Sequence, residues 1–286
     1  MIVAVEAMSP FTYIMDYFEG VCAILLRVSY AYKQLAPDQN LIISKSSSLH
    51  YPGVGELSMC DYFELPDRIQ CDREHSTEEL KNMSSGLGCE RYTFKILHEL
   101  GKKVNISGMT CVEGVLPTEE YIHFPWNYHQ RVWGLFKDLS AAMRLDTHVA
   151  AFHWRRGDQL TTRCKTGVDT SVNCAPAEHF LRKVNVTLSI LDSLGYAQDS
   201  IKVFIATNEG NETVLRTFED LGYYHSGQLK GFLQVSNRTA DSLDLFLLDT
   251  MIMCWATWFN YYGVSTVDTF VESCKHMRLF HGFKMN

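Results

Sequence analysis

The chain has 286 residues, 46% of them hydrophobic and 12% aromatic, with 21% charged and a formal net charge of -7. That balance builds a sizeable core, and at this length two domains, 1–145 and 146–286, are expected. It leaves no basic stripe for nucleic acid. No apolar stretch reaches about 18 residues without a charge, so no transmembrane segment is expected.

In chain order, Phe11–Met15 reads as a strand, Glu19-Gly20 as a turn, and Val21–Leu35 as a helix ending before Pro37. Leu41–Ser44 follows as a short buried strand, so the chain opens like a parallel α/β sheet. Residues 45–90 are richer in Ser, Gly, Pro and charge and predict loops and short helices. Between Tyr128 and Arg144, Val132, Leu135, Phe136, Leu139 and Met143 share one helical face. A strand, Val149–His153, comes next. The helix Ala177–Leu194 places Phe180, Val184, Thr187, Leu188, Leu191 and Leu194 on one side, and the strand Ile201–Thr207 completes a βαβ unit. The run Leu245–Phe259, interrupted by Asp249, reads as buried helix and strand: a helix over Asp241–Ala256, a strand near Trp258–Tyr261, then Gly263–Thr266 opening another helix.

Acceptors of the Asn-x-Ser/Thr type stand at Asn82, Asn105, Asn185, Asn211 and Asn237, five where chance gives roughly 1.5, which favours the secretory lumen. Nine cysteines suit that compartment; Cys60/Cys71, Cys89/Cys111 and Cys164/Cys174 are close enough to close short loops, with at least one thiol left over. The opening residues, MIVAVEAMSPF, lack the charged start and apolar core of a signal peptide. No zinc-ligand spacing is present, since His148 and His153 fall on opposite faces of one strand.

Chemistry concentrates after the strand 149–153, in His153-Trp-Arg-Arg-Gly-Asp158. Open α/β sheets bind ligands at the carboxyl ends of their strands, and the guanidinium forks of Arg155 and Arg156 suit a diphosphate whose charge grows as it departs. The alternative is an Arg–Asp pair holding a surface turn; Arg156-Gly157-Asp158 is also a bare adhesion-type tripeptide. Ser265 and Thr266 open a helix, where hydroxyls and unpaired amides hold phosphate or simply cap the helix. Asp249, inside an apolar helix, needs partners: the two N–H donors of a guanine edge would serve, as would an internal ion pair. Asp-x-Asp, Gly-x-Gly-x-x-Gly, the Walker loop and Gly-x-Ser-x-Gly are all absent.

Three stretches together resemble the GDP-fucose-dependent fucosyltransferases, the protein O-fucosyltransferase-like group in particular. They are Val149–Asp158 followed by Val203–Thr207; Leu248-Asp249 with Ala256, Phe259 and Val264-Ser265-Thr266; and Asp16–Gly20 with Cys60–Pro66. The resemblance implies a GT-B fold, two Rossmann-like halves facing a cleft, with the acceptor on the first and GDP-fucose on the second. It implies inverting transfer of fucose to a hydroxyl, on a protein or glycoprotein acceptor, with no obligatory metal and no further cofactor. The alternatives are a glycan-directed enzyme and a catalytically silent relative that binds a GDP-sugar. By position, Arg155 neutralises the leaving diphosphate, His153 and Asp249 lie near the nucleotide, and Ser265 and Thr266 hold its phosphates. Arg156 and Asp158 support the same site through its loop. Glu19 matches the glutamate proposed as base in one branch of the family. The sequence departs from the pattern at Val21-Cys22-Ala23 after the glycine turn, and at Val267 and Asp268, where the family has Phe and Ser.

Overall fold

The computed structural model describes residues 11–13, 20–34, 40–47, 51, 54, 56–76, 91–92, 110–112, 127–145, 147–156, 160, 164, 174–261 and 265–281. The chain divides into two compact units, residues 1–130 with 276–286, and residues 131–275.

In the first unit, β1 (Phe11–Tyr13), α1 (Val21–Gln34) and β2 (Leu41–Ser47) form the expected strand, helix and strand, with β1 and β2 parallel and Phe11 opposite Leu41. Helix α1 buries Val21, Ile24, Leu25 and Val28, and the Tyr51 hydroxyl accepts from the Val21 amide at 3.0 Å. β3 (Glu56–Leu57) lies antiparallel to β2, and β4 (Phe63–Glu64) pairs with β8 (Asn127–Tyr128). Parallel strands β6 (Arg91–Tyr92) and β7 (Thr110–Val112) extend the sheet beyond β1.

Composition predicts loops and short helices over 45–90. The described part holds a 3-10 turn, Met59–Asp61, but also the eight-residue strand β5 (Ile69–Ser76), parallel to β2. Its sequence, IQCDREHS, carries no apolar run because Ile69 and Cys71 already meet Leu41 and Ile43, and a disulfide from Cys60 holds Cys71 in place.

The second unit opens with α2 (Gln130–Met143), which buries the five apolar residues of its predicted face, Val132, Leu135, Phe136, Leu139 and Met143. Its sheet has the order β11 (Tyr224–His225), β10 (Ile201–Thr207), β9 (His148–Trp154), β12 (Trp258–Tyr261), all parallel. Helix α3 (Ala177–Ser193) covers one face: Phe180, Val184, Leu188 and Leu191 pack on Ala150, Phe152, Val203 and Ile205. Trp154, fully buried, stacks on Phe180 with ring centroids 4.6 Å apart. Each such large side chain contributes about 2–3 kcal/mol by leaving water. Leu194, expected on that apolar side, is instead 66% exposed, because the helix has ended and the chain turns away through Gly195 at φ 93°. Helices α4 (Glu212–Asp220), α5 (Leu229–Val235) and α6 (Ser242–Trp255) follow, and α7 (Thr266–His281) leaves the end of β12. Asp241 caps α6 in a reciprocal box with Asp244, whose Oδ2 also takes Arg131 Nη1 at 2.7 Å. Two of the suggested disulfides are formed, Cys60–Cys71 and Cys164–Cys174; Cys89 lies outside the described residues.

Candidate functional site

The strand order marks the place where open α/β sheets receive ligands. From β9 the chain moves to β10 and then β11 on one side, after which β12 returns to the opposite side of β9. Such a reversal leaves a crevice at the carboxyl ends of the two strands flanking it. Those ends are His153 on β9 and Tyr261 on β12, direct neighbours in register, and the start of α7 follows four residues after β12.

Side chains alternate across β9, so Trp154 goes to the α3 face and His153 to the other. His153 meets α7 there: its Nδ1 lies 2.5 Å from Asp268 Oδ1, with both side chains buried. Asp268 was not anticipated as a site residue. It is the third residue of its helix, where an acid ordinarily reads as part of a capping box. Ser265 caps α7: its Oγ accepts from the Val267 amide at 3.2 Å, and its carbonyl accepts from Asp268 and Thr269. Ser265 is buried and Thr266 is exposed at the first turn of the 16-residue helix.

The two arginines part ways. Arg156 is pinned: Nε lies 2.9 Å from Glu209 Oε2, Nη1 donates to the Ala175 carbonyl at 2.8 Å, and the guanidinium sits over the Trp154 ring at 4.8 Å. The Glu209 contact is held by charge, since Nε is not aligned for a hydrogen bond. The Arg156 amide also donates to Asn208 Oδ1 at 2.8 Å. Arg155, half-buried, stands one residue beyond the end of β9.

Asp249 belongs to a second cluster at the same edge of the sheet. The Thr207 hydroxyl donates to the Trp154 carbonyl at 2.7 Å, the Thr207 amide donates to Ser226 Oγ at 2.9 Å, and the Ser226 hydroxyl bonds the Asp249 carboxyl. The chain of contacts therefore runs from β9 through β10 and the turn after β11 to α6. Asp249 is half-buried, and its Oδ1 is covered with no hydrogen-bond partner. Burial pushes the carboxyl up to about 8, against the opposing pull of the Ser226 hydrogen bond.

Fold and geometry can be set beside known proteins. The chain matches no protein-family model and no curated protein. Solved structures do match along nearly its full length. They include NodZ alpha-1,6-fucosyltransferase soaked with GDP-fucose, at 12% identity and a TM-score of 0.57, covering 93% of this chain and 92% of that one. Fucosyltransferase NodZ from Bradyrhizobium matches at 12% identity and 0.53, with 93% of each chain covered. NodZ co-crystallised with GDP matches at 10% and 0.54, with 92% of each covered. The fold is the one seen in the NodZ structures.

That places the chain in the α/β, GT-B-like class that its sequence suggests, and it is the fold, rather than the protein O-fucosyltransferase group, that the likeness to NodZ shows. Of the predicted residues, the structure brings His153 to the helix opened by Ser265 and Thr266, and links Asp249 to the end of β9 through Ser226 and Thr207. Glu19 and Asp158 lie outside the described residues. Sequence reasoning missed Asp268, Glu209, Ser226 and Thr207. Glu209 carried one signal, its place just after a strand in Thr207-Asn-Glu-Gly210; Ser226 and Asp268 gain meaning only once β11, β12 and their helices are folded.

Proposed function

We propose that this chain transfers fucose from GDP-fucose to a hydroxyl, with inversion. The carrying observation is Asp249, whose buried and unpartnered oxygen sits behind the carboxyl edge of the sheet in a chain with the fold of proteins crystallised with GDP. A buried acceptor without a partner costs free energy that only a donor can return. Guanine presents two adjacent N–H donors, which a carboxylate accepts and an apolar pocket rejects.

In this reading the second unit holds the donor and the first holds the acceptor. Arg155 faces the diphosphate and stabilises the charge that grows as GDP departs. Arg156 keeps the loop in place, because its own fork is occupied by Glu209 and the Ala175 carbonyl. Thr266 offers its hydroxyl and amide to a phosphate, Ser265 holds the helix end that presents them, and Asp158 supports the adjoining loop. Glu19 takes the acceptor proton. No metal is required, since the arginine and the helix start supply the positive charge. The acceptor is a protein or glycoprotein hydroxyl; a glycan hydroxyl is the alternative, favoured by the α-1,6 linkage of the NodZ neighbours. The compartment is the secretory lumen, supported by two disulfides and by the exposure of Asn185, Asn211 and Asn237. Among the described residues no helix is long and apolar enough to cross a membrane.

Calorimetric titration with GDP-fucose, GDP and UDP, paired with an assay of donor hydrolysis, tests the proposal. The expected result is binding of both guanine nucleotides, weak or no binding of UDP, and slow hydrolysis. Guanine-selective binding without hydrolysis or transfer points to a silent relative, and no GDP binding overturns both.

A further inference from the structure

We infer that Asp268 is a positioning residue, which holds the His153 ring with its proton on Nδ1 and presents Nε2 as a hydrogen-bond acceptor to the nucleoside half of the bound nucleotide. The inference rests on the GDP-fucose reading and refines it. A carboxylate only accepts, so the 2.5 Å contact between His153 Nδ1 and Asp268 Oδ1 puts the ring proton on Nδ1. In the neutral ring Nε2 then carries the lone pair, and among the described residues it has no hydrogen-bond partner.

The contact is a choice made by the fold. Ser265 at the N-cap and an acid three residues later is the arrangement in which the acid usually turns back onto the cap amide. Here Asp268 reaches instead to a strand 115 residues earlier, and Ser265 closes the helix through Val267. Where the resembling family has Ser at this place, Asp268 brings a negative charge to the end of a helix that would otherwise welcome phosphate. Directed at the imidazole, that charge fixes the ring. It also makes the ground around His153 unfavourable for a diphosphate, because phosphate oxygens cannot pair with a lone pair. A ribose hydroxyl or a base N–H can. Asp268 thereby separates a nucleoside side of the crevice, at His153, from a diphosphate side, at Arg155 and Thr266.

Two measurements on the intact chain test this. Long-range 1H–15N spectra of the imidazoles, with His153 assigned by loss of its signals in His153→Gln, read the tautomer directly. We expect a protonated Nδ1 and a bare Nε2, with a mixture of tautomers in Asp268→Asn. Calorimetry with GDP and with inorganic pyrophosphate reads the consequence: Asp268→Asn weakens GDP by about tenfold and leaves pyrophosphate unchanged or tighter. A wild-type ring protonated on Nε2 overturns the inference without any variant. Equal loss of GDP and pyrophosphate in Asp268→Asn also overturns it, as that is what general disruption gives. Should the wild-type chain bind no GDP, the nucleotide reading falls and takes the ligand half of this inference with it, while the spectra still decide what Asp268 does to the ring.

Discussion

His153 Nδ1 and Asp268 Oδ1 lie 2.5 Å apart, both side chains buried, and join the end of β9 to the first turn of α7 across the point where the strand order reverses. The two residues come from chain segments 115 positions apart, yet they occupy one corner of the crevice. Around them, Arg156 is committed to Glu209 and the Ala175 carbonyl, and Arg155 stands just beyond the end of β9. A carboxyl with an unpartnered oxygen stands in the cluster behind β10 and β11. Six substitutions separate these roles.

Arg155→Ala should cut donor turnover by roughly 30- to 1000-fold, the equivalent of about 2–4 kcal/mol of transition-state stabilisation, while the thermal midpoint stays near that of the parent. Release of fucose from labelled GDP-fucose is the assay. Near-normal release would reject Arg155 as the residue that meets the diphosphate.

Asp249→Asn should do two opposite things. Its carboxyl titrates near 8 in the fold and near 4 when unfolded, so the stability it contributes is present below about 4 and is lost as pH rises toward 8. The asparagine variant should therefore lose less stability than the parent between pH 5 and 8, and be the more stable at pH 8 by roughly 1–3 kcal/mol in urea titrations. GDP affinity should fall at least about tenfold, since an amide offers guanine a donor where an acceptor is needed. The parent should bind GDP more tightly as pH rises from 6 to 8, because guanine pairs with the ionised form. Unchanged GDP binding in the variant would dismiss Asp249 as the guanine contact.

Arg156→Ala and Glu209→Gln each leave a charged partner alone near the end of β9, and each should cost on the order of 2 kcal/mol in chemical denaturation. Arg156→Lys should not restore the loss. A single ammonium cannot serve Glu209, the Ala175 carbonyl and the Trp154 face together. A lysine variant of parental stability would argue that only the charge matters.

Glu19→Gln should lower fucosyl transfer by 10²- to 10⁴-fold, the range of a general base, with GDP affinity retained. Transfer at the parental rate once an acceptor is in hand would strike Glu19 from the mechanism.

Much of the second unit is legible in its sequence. The strand Ile201–Thr207 and the helix face of Phe180, Val184, Leu188 and Leu191 announce themselves because their apolar spacing is enforced by a sheet buried on both sides. Strand β5 does not: its sequence has no apolar alternation, and it is held by pairing with β2 and by the Cys60–Cys71 disulfide. Within the site, residue type and position after a strand point to His153 and the arginines, but they cannot apportion Arg155 and Arg156. That division depends on Glu209, 53 residues from Arg156, and on a carbonyl at Ala175. Asp268 looks like an ordinary capping acid until β12 is laid beside β9. Spacing reveals local periodicity, whereas the pairing of distant polar groups is a property of topology.

The late return of β12 to the far side of β9 also sets when the site comes into existence. During synthesis from the amino terminus, β9, β10 and β11 can emerge and pair while the position beside β9 stays empty, since residues 258–268 are made after all three. A fragment stopped short of Asp268 therefore lacks half of the corner in which His153 meets its carboxylate. On the proposed reading, nucleotide binding reports on completion of this corner, and GDP selects molecules in which β12 and α7 have docked in a refolding mixture.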